Sequence, residues 1–324
     1  MNLEYFKNYF NKVKTFYSPD SAGYWNSLTK CCISKKPVQL DRYYLDFSSK
    51  YYYPGPFSSE NIPLYSFKGQ RLVEHPIVIA QYALGVFENL YSGSFNDDNI
   101  KTKFLKVADW FAKNKVNVCN GYGWLIKIKY PEYNLLEPWI SGMAQGEAIS
   151  VLSRAAKISG NNLYEDISVQ ALSPFEYDVN DGGLINYFNS IPVYEEFPTR
   201  DRTMAVLNGF IFALFGLYDL FLLNKNKKAF ELFDKGIHSL KKLLPFYDIK
   251  TWTRYYLYNY PDKYYSSYTY HILVLEQLKA LFYITEEKMF LDYSDRWLDY
   301  SNSFIKKNIA LFKKIVNSNK MFSN

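Results

Sequence analysis

Four apolar stretches recur along this chain at one interval, and that recurrence limits what it can become. They are Val78–Leu90, Trp139–Ala155, Ala205–Leu222 and Tyr268–Tyr283, with anchor positions Ile79, Met143, Leu207 and His271 spaced 64 residues apart each time. Each is long enough for a helix and apolar on too many sides to lie on a surface. A second, amphipathic stretch follows each one: Lys103–Lys113, Leu163–Leu172, Lys228–Leu244 and Lys288–Phe304. In the first of these Phe104, Val107, Ala108 and Phe111 fall at helical spacing while Lys and Asp point outward. One such hairpin cannot hide its apolar face, whereas four in succession can, with the apolar helices inside and the amphipathic ones outside. The expected fold is therefore all-α, an α/α toroid built as an incomplete barrel of about four helical hairpins. An open solenoid is the alternative. The window Leu207–Leu223 is apolar enough to suggest a membrane, but Asn208 and Asp219 interrupt it, so a buried core helix is the expectation.

Excursions follow the first three pairs: Gly121-Tyr122-Gly123-Trp124, Asp181-Gly182-Gly183 and Trp252-Thr253-Arg254-Tyr255. They are expected to emerge at one mouth of the ring. Residues 1–75 read differently. A helix is predicted over Phe6 to Tyr17, a β-like run over Tyr43–Phe47, and turn clusters around Pro54 and Ser58. This makes 1–75 a helix and loop/hairpin arm packed on a body of 76–310, with 311–324 as a basic C-terminal tail.

Composition excludes several classes. Of 324 residues 48% are hydrophobic and 22% charged, a globular balance. With three His and three Cys, two of them the adjacent Cys31 and Cys32, no zinc-ligand spacing or disulfide framework appears, and neither a metal nor a cofactor is expected. The compartment is read as reducing, and the N-terminus shows no secretory leader, so a cytoplasmic, at most membrane-peripheral, location is expected. The net charge of +6 is scattered apart from Lys306, Lys307, Lys313 and Lys314, and no nucleic-acid motif accompanies it. The 32 Tyr and 25 Phe fit an aromatic core or an aromatic-lined cleft.

Three segments at the expected mouth carry chemistry. In Tyr194-Glu195-Glu196-Phe197-Pro198 the extended backbone before proline sends neighbouring side chains to opposite sides, so one of Glu195 and Glu196 enters the cleft. In Trp252-Thr253-Arg254-Tyr255-Tyr256 an arginine among aromatic rings can clamp a carboxylate while a ring stacks on a sugar. In Tyr270-His271 the imidazole is read first as a core residue. Gln145 and Glu147 stand out on an apolar helix, either bonded to a neighbouring hairpin or aimed at a ligand, with a structural role favoured for Glu147.

Four segments resemble the C-terminal catalytic region of D-glucuronyl C5-epimerases: Ile79–Leu84, Met143–Ser150, Glu195–Pro198 with Leu207–Phe210, and Tyr270-His271 with Gln277-Leu278. Gly216-Leu217-Tyr218-Asp219 resembles the same region. The resemblance spans roughly residues 40–300 and implies an α/α-barrel domain that converts glucuronate to iduronate within a polymer such as heparosan. It places catalytic roles on Glu196, Tyr255 and Tyr270. The family's fourth group, a tyrosine, falls on Phe197, and the arginine that follows its Tyr-Asp-Leu segment falls on Tyr258. Arg254, Asn208, Glu195, His271 and Trp252 complete the expected substrate-binding set. The implied partner is a uronate-containing glycan, and the resemblance adds homodimerisation. Three other readings stay open: a polysaccharide lyase starting from the same proton abstraction, a glycoside hydrolase using Glu196 with Asp181, and a non-catalytic glycan-binding scaffold.

Overall fold

A computed structural model describes residues 10, 13–18, 23–93, 98–136, 138–258, 260, 262 and 264–321. The helical hairpins lie where the repeat interval places them. The first helices are α1 (Pro76–Ser92), α3 (Gly142–Ser159), α5 (Leu207–Asn224) and α7 (Tyr268–Thr285), and the second are α2 (Asp98–Asn114), α4 (Asn162–Gln170), α6 (Lys227–Tyr247) and α8 (Lys288–Asn302). The chain is mostly helical. The first helices touch in the order α1, α3, α5, α7, and each carries its own second helix on its outer side.

Local chemistry explains the boundaries. Pro76 starts α1, where its missing N–H costs nothing. Ser141 and Ser267 accept from the N–H groups of Ala144 and Tyr270, capping α3 and α7. At the close of α3, Gly160 takes a left-handed φ of 68°. The α3–α5 contact is the tightest: a Cβ on Gly216 would meet the Gly146 carbonyl at 2.1 Å, and one on Gly146 would meet Ala213 Cα at 2.5 Å. Backbone therefore rests on backbone. The membrane-like window is α5, and 83% of it is buried within the fold.

Among the described residues strands are confined to short antiparallel hairpins: β1 (Leu64–Tyr65) with β2 (Val73–Glu74), β3 (Val116–Val118) with β4 (Gly121–Gly123), and β5 (Ile185–Phe188) with β6 (Ile191–Tyr194). The expected strand over Tyr43–Phe47 is reduced to one bridge, Leu45 to Cys31. Its aromatic rings are instead core residues, and the Tyr44 hydroxyl donates to Asp219 at 2.6 Å. Of the predicted N-terminal helix, Phe10 and residues 13–17 are helical and the rest lies outside the described residues. Most of the segment read as a basic C-terminal tail lies in a further helix, α9 (Phe304–Met321), and Leu311 and Ile315 enter the common core.

The polar groups of the first helices divide between their two ends. Towards the C-terminal ends, Arg154 of α3 and Asp219 of α5 form a fully buried ion pair at 2.6 Å. Nearby, Glu88 of α1 pairs with Arg42 at 3.1 Å and accepts from the Tyr43 N–H at 2.6 Å. The N-terminal ends open onto a cleft.

Candidate active site

The cleft has a volume of about 360 Å³. All four first helices reach it through their opening turns, with Gln81 from α1, Met143 from α3, Asn208 from α5 and Tyr270 from α7 among the lining residues. Four helix N-termini thus converge on one space, and their aligned peptide dipoles favour an anion there.

Glu196 and Glu195 lie just beyond β6 and point to opposite sides, as extended backbone requires. Glu196 lines the cleft and is nearly buried, and its Oε2 has no hydrogen-bond partner. It lies against the first turn of α5, where a Cβ on Gly209 would meet that oxygen at 2.2 Å. Only glycine leaves room for the carboxyl. Burial pushes the Glu196 carboxyl up to about 8. Glu195 turns inward to the protein instead. Its Oε1 accepts from the Met204 N–H at 2.8 Å, and its Oε2 accepts from the Ala205 N–H at 3.0 Å. It holds the segment leading into α5 and does not line the cleft, which corrects its expected substrate-binding role.

Tyr255 and Tyr270 face Glu196 in the cleft with ring centroids 4.9 Å apart. The Tyr270 hydroxyl lies 3.4 Å from Asn26 Oδ1. Burial, reinforced by the negative charge of Glu196, holds both phenols well above the ordinary tyrosine range, so both carry their protons at neutral pH. Asn208 also lines the cleft, with its Oδ1 unpartnered, and its carbonyl accepts from Gln277 of α7 at 3.0 Å.

Arg254 is elsewhere. Its Nε donates to the Phe246 carbonyl at 2.9 Å, another guanidinium N–H donates to the Asp262 carbonyl, and the group lies 5.0 Å over the Tyr260 ring. It neighbours Tyr255 on an extended segment and points away from the cleft for the same reason that Glu195 does. The expected clamp is thus a brace between its own loop and the end of α6. Trp252 and His271 are also corrected: they stack at 3.7 Å deep in the core. His271 Nε2–H donates to the Trp297 carbonyl at 3.0 Å and its Nδ1 accepts from the Thr253 hydroxyl at 2.9 Å. Burial lowers the imidazole to about 3, so it stays neutral. Asp181 is exposed and lies outside the cleft, which removes the partner proposed for a two-carboxylate hydrolase.

Several cleft residues escaped sequence reasoning. His75, immediately before α1, is buried with Nδ1 unpartnered and is lowered by burial to about 4. It holds the N-cap place of its inner helix, as Ser267 does for α7, and this was the available signal. Tyr130 and Tyr133 flank Phe197, at ring distances of 5.5 and 4.9 Å. Lys50 enters from the arm, with nothing in its sequence setting it apart from outward-facing lysines. Gln81 donates to Glu147 Oε1 at 3.0 Å, and the Oε2 of Glu147 has no partner. The favoured structural role for Glu147 thus describes one of its two oxygens. Gln145 bonds the neighbouring hairpins, donating to the carbonyls of Tyr122 and Ala171. Among the described residues no three His, Cys, Asp or Glu side chains are grouped to hold a metal ion.

A family model described as D-glucuronyl C5-epimerase C-terminus matches residues 120–299, more than half of the chain. The protein belongs to that family. The D-glucuronyl C5-epimerase of Caenorhabditis elegans is 35% identical over 217 residues, which cover 61% of this chain and 35% of that protein. An uncharacterized protein of Methanocaldococcus jannaschii is 29% identical over 180 residues, 54% of this chain and 56% of that one. The chain thus spans about a third of the worm epimerase and just over half of the archaeal protein. Glu196, Tyr255 and Tyr270 lie inside the segment matched by the C5-epimerase family, whereas Lys50, His75 and Gln81 lie before it.

Proposed function

We propose that this member of the C5-epimerase family inverts C5 of a hexuronate residue within a glycan, converting D-glucuronate to L-iduronate. The observation that carries this reading is the meeting of Glu196, Tyr255 and Tyr270 from three separate segments in one cleft, with a carboxyl oxygen left without a protein partner. Inversion needs a base on one face of the ring and an acid on the other. In its ionised form Glu196 takes the C5 proton, and the C–H electron pair moves into the substrate carboxylate to form an enediolate. A phenol, Tyr255 or Tyr270, returns a proton to the opposite face. Exchange with water then resets the glutamic acid and the tyrosinate. The enediolate carries more negative charge than the substrate, so donors must be in place before proton loss. The four converging helix N-termini and the Asn208 amide support that demand.

Incubation with heparosan in deuterated water tests the proposal. An epimerase places deuterium at C5 and leaves the chain intact. Unsaturated ends would identify a lyase, and absence of deuterium and of cleavage would leave a glycan-binding scaffold.

A further inference from the structure

We propose that Lys50, contributed by the N-terminal arm, is the cation that holds the substrate carboxylate. The inference rests on the reading of the cleft as a uronate site. Proton loss next to a carboxylate requires a positive partner, and Arg254 is committed to the backbone carbonyls of Phe246, at the end of α6, and Asp262. Lys50 lines the cleft and is only 3% exposed. Lysine is almost never buried to that degree unless paired. Among the described residues its ammonium donates one hydrogen bond, to the Trp25 carbonyl at 3.0 Å. The rings of Trp25 and Phe47 each lie 5.3 Å from the ammonium. Among the described residues no carboxylate lies within ion-pair distance of it. An ammonium has three donors, so donor capacity remains for a ligand.

Neighbouring groups suit the same ligand. Glu147 is close enough to Lys50 to interact electrostatically, and burial raises its carboxyl well above the ordinary range. That direction disfavours a competing negative charge beside the ammonium. Lys314, another cleft lysine, is only part-buried, so water competes for its charge, and it donates to the Tyr265 carbonyl at 2.8 Å.

The backbone fixes Lys50 in place. It belongs to a short 3-10 turn, Ser48–Tyr52, pressed against α1. A Cβ on Gly85 would meet the Phe47 carbonyl at 2.5 Å, the Tyr51 nitrogen at 2.9 Å and Lys50 Cβ at 3.1 Å. Asn89, one turn further along α1, donates to the Ser48 carbonyl at 2.9 Å. The lysine is thus presented from a rigid mount, which limits the ordering cost of binding.

The test compares heparosan with its carboxyl-reduced counterpart. Wild type should prefer heparosan, and Lys50→Met should weaken heparosan binding roughly 10- to 100-fold, the range for a charged hydrogen bond. Binding of the reduced polymer should stay unchanged, and Lys50→Arg should restore part of the preference. Equal weakening for both polymers, or no weakening for either, overturns the assignment. A second measurement uses the unaltered protein. Carbodiimide activates the carboxylate of a bound heparosan oligosaccharide, and an amine in contact displaces the urea to form an amide. Mass spectrometry should find that amide on Lys50, and amides on other lysines alone would overturn the proposal. The epimerase reading fails separately: selective binding lost in Lys50→Met with no C5 deuterium in wild type leaves the carboxylate site standing and removes the reaction.

Discussion

The two ends of the same four helices treat buried acids in opposite ways. At the C-terminal ends each named carboxylate has a cation, with Asp219 on Arg154 and Glu88 on Arg42. At the N-terminal ends none of Glu147, Glu195 and Glu196 has a cation within 4 Å among the described residues, and two of the three have an oxygen with no partner at all. One end joins the helices. The other holds desolvated acids without cations, and one of them, Glu196, lines the cleft, an arrangement that costs stability and prepares chemistry.

The contrast predicts that acid substitutions at the two ends separate activity from stability. Glu196→Gln should lower C5 exchange by about 10³-fold or more, within the range for a lost proton-transfer group, with no fall in the urea midpoint. A loss of stability matching that of Asp219→Ala would erase the distinction. Asp219→Ala leaves the Arg154 charge buried and unpaired and should cost about 3–5 kcal/mol, read by urea denaturation.

Between these lie the phenols. Tyr255→Phe and Tyr270→Phe should each lower exchange by about 10²-fold at unchanged stability. Full exchange in both would remove the tyrosines from the mechanism.

Acidity sharpens the comparison further. Burial raises Glu195 and Glu196 from 4.5 to about 8 in the folded protein. The folded state therefore keeps protons that the unfolded chain releases, and this contribution is lost as pH rises from 4.5 through about 8. Its slope approaches about 1.4 kcal/mol per pH unit for each group. His75 and His271 have depressed values, so their contribution is lost only below the ordinary 6.5. Urea midpoints should therefore fall between pH 6.5 and 8, and less steeply in Glu196→Gln. The exchange kcat/KM should rise over the same interval as Glu196 ionises. The smallest effect expected is for Phe197→Tyr, a few-fold gain in exchange if the new hydroxyl reaches the ring. No gain would indicate that Tyr130 or Tyr133 already serves that place.

The helices were legible because a helix covered on both sides must be apolar nearly all round, and that pattern repeats at a constant interval. The choice of Glu196 or Glu195 followed in part from the alternation of extended backbone. Arg254 shows where such reasoning stops: alternation says that Arg254 and Tyr255 diverge, not which of them faces the ligand. Lys50 was invisible because its burial depends on a glycine 35 positions later in the chain, Gly85. His271 was read first as a core residue and still entered the expected binding set with Trp252, because a stacked, doubly hydrogen-bonded imidazole and a ligand-binding one have the same letter.

The arm wall that presents Lys50 lies outside residues 120–299, while the proton-moving groups lie inside. On the proposed reading, recognition and reaction draw on different stretches of the polypeptide. On that reading, exchanging only the turn that carries Lys50 would change which sugar acid is held while Glu196, Tyr255 and Tyr270 keep their places, much as a lathe accepts a different chuck.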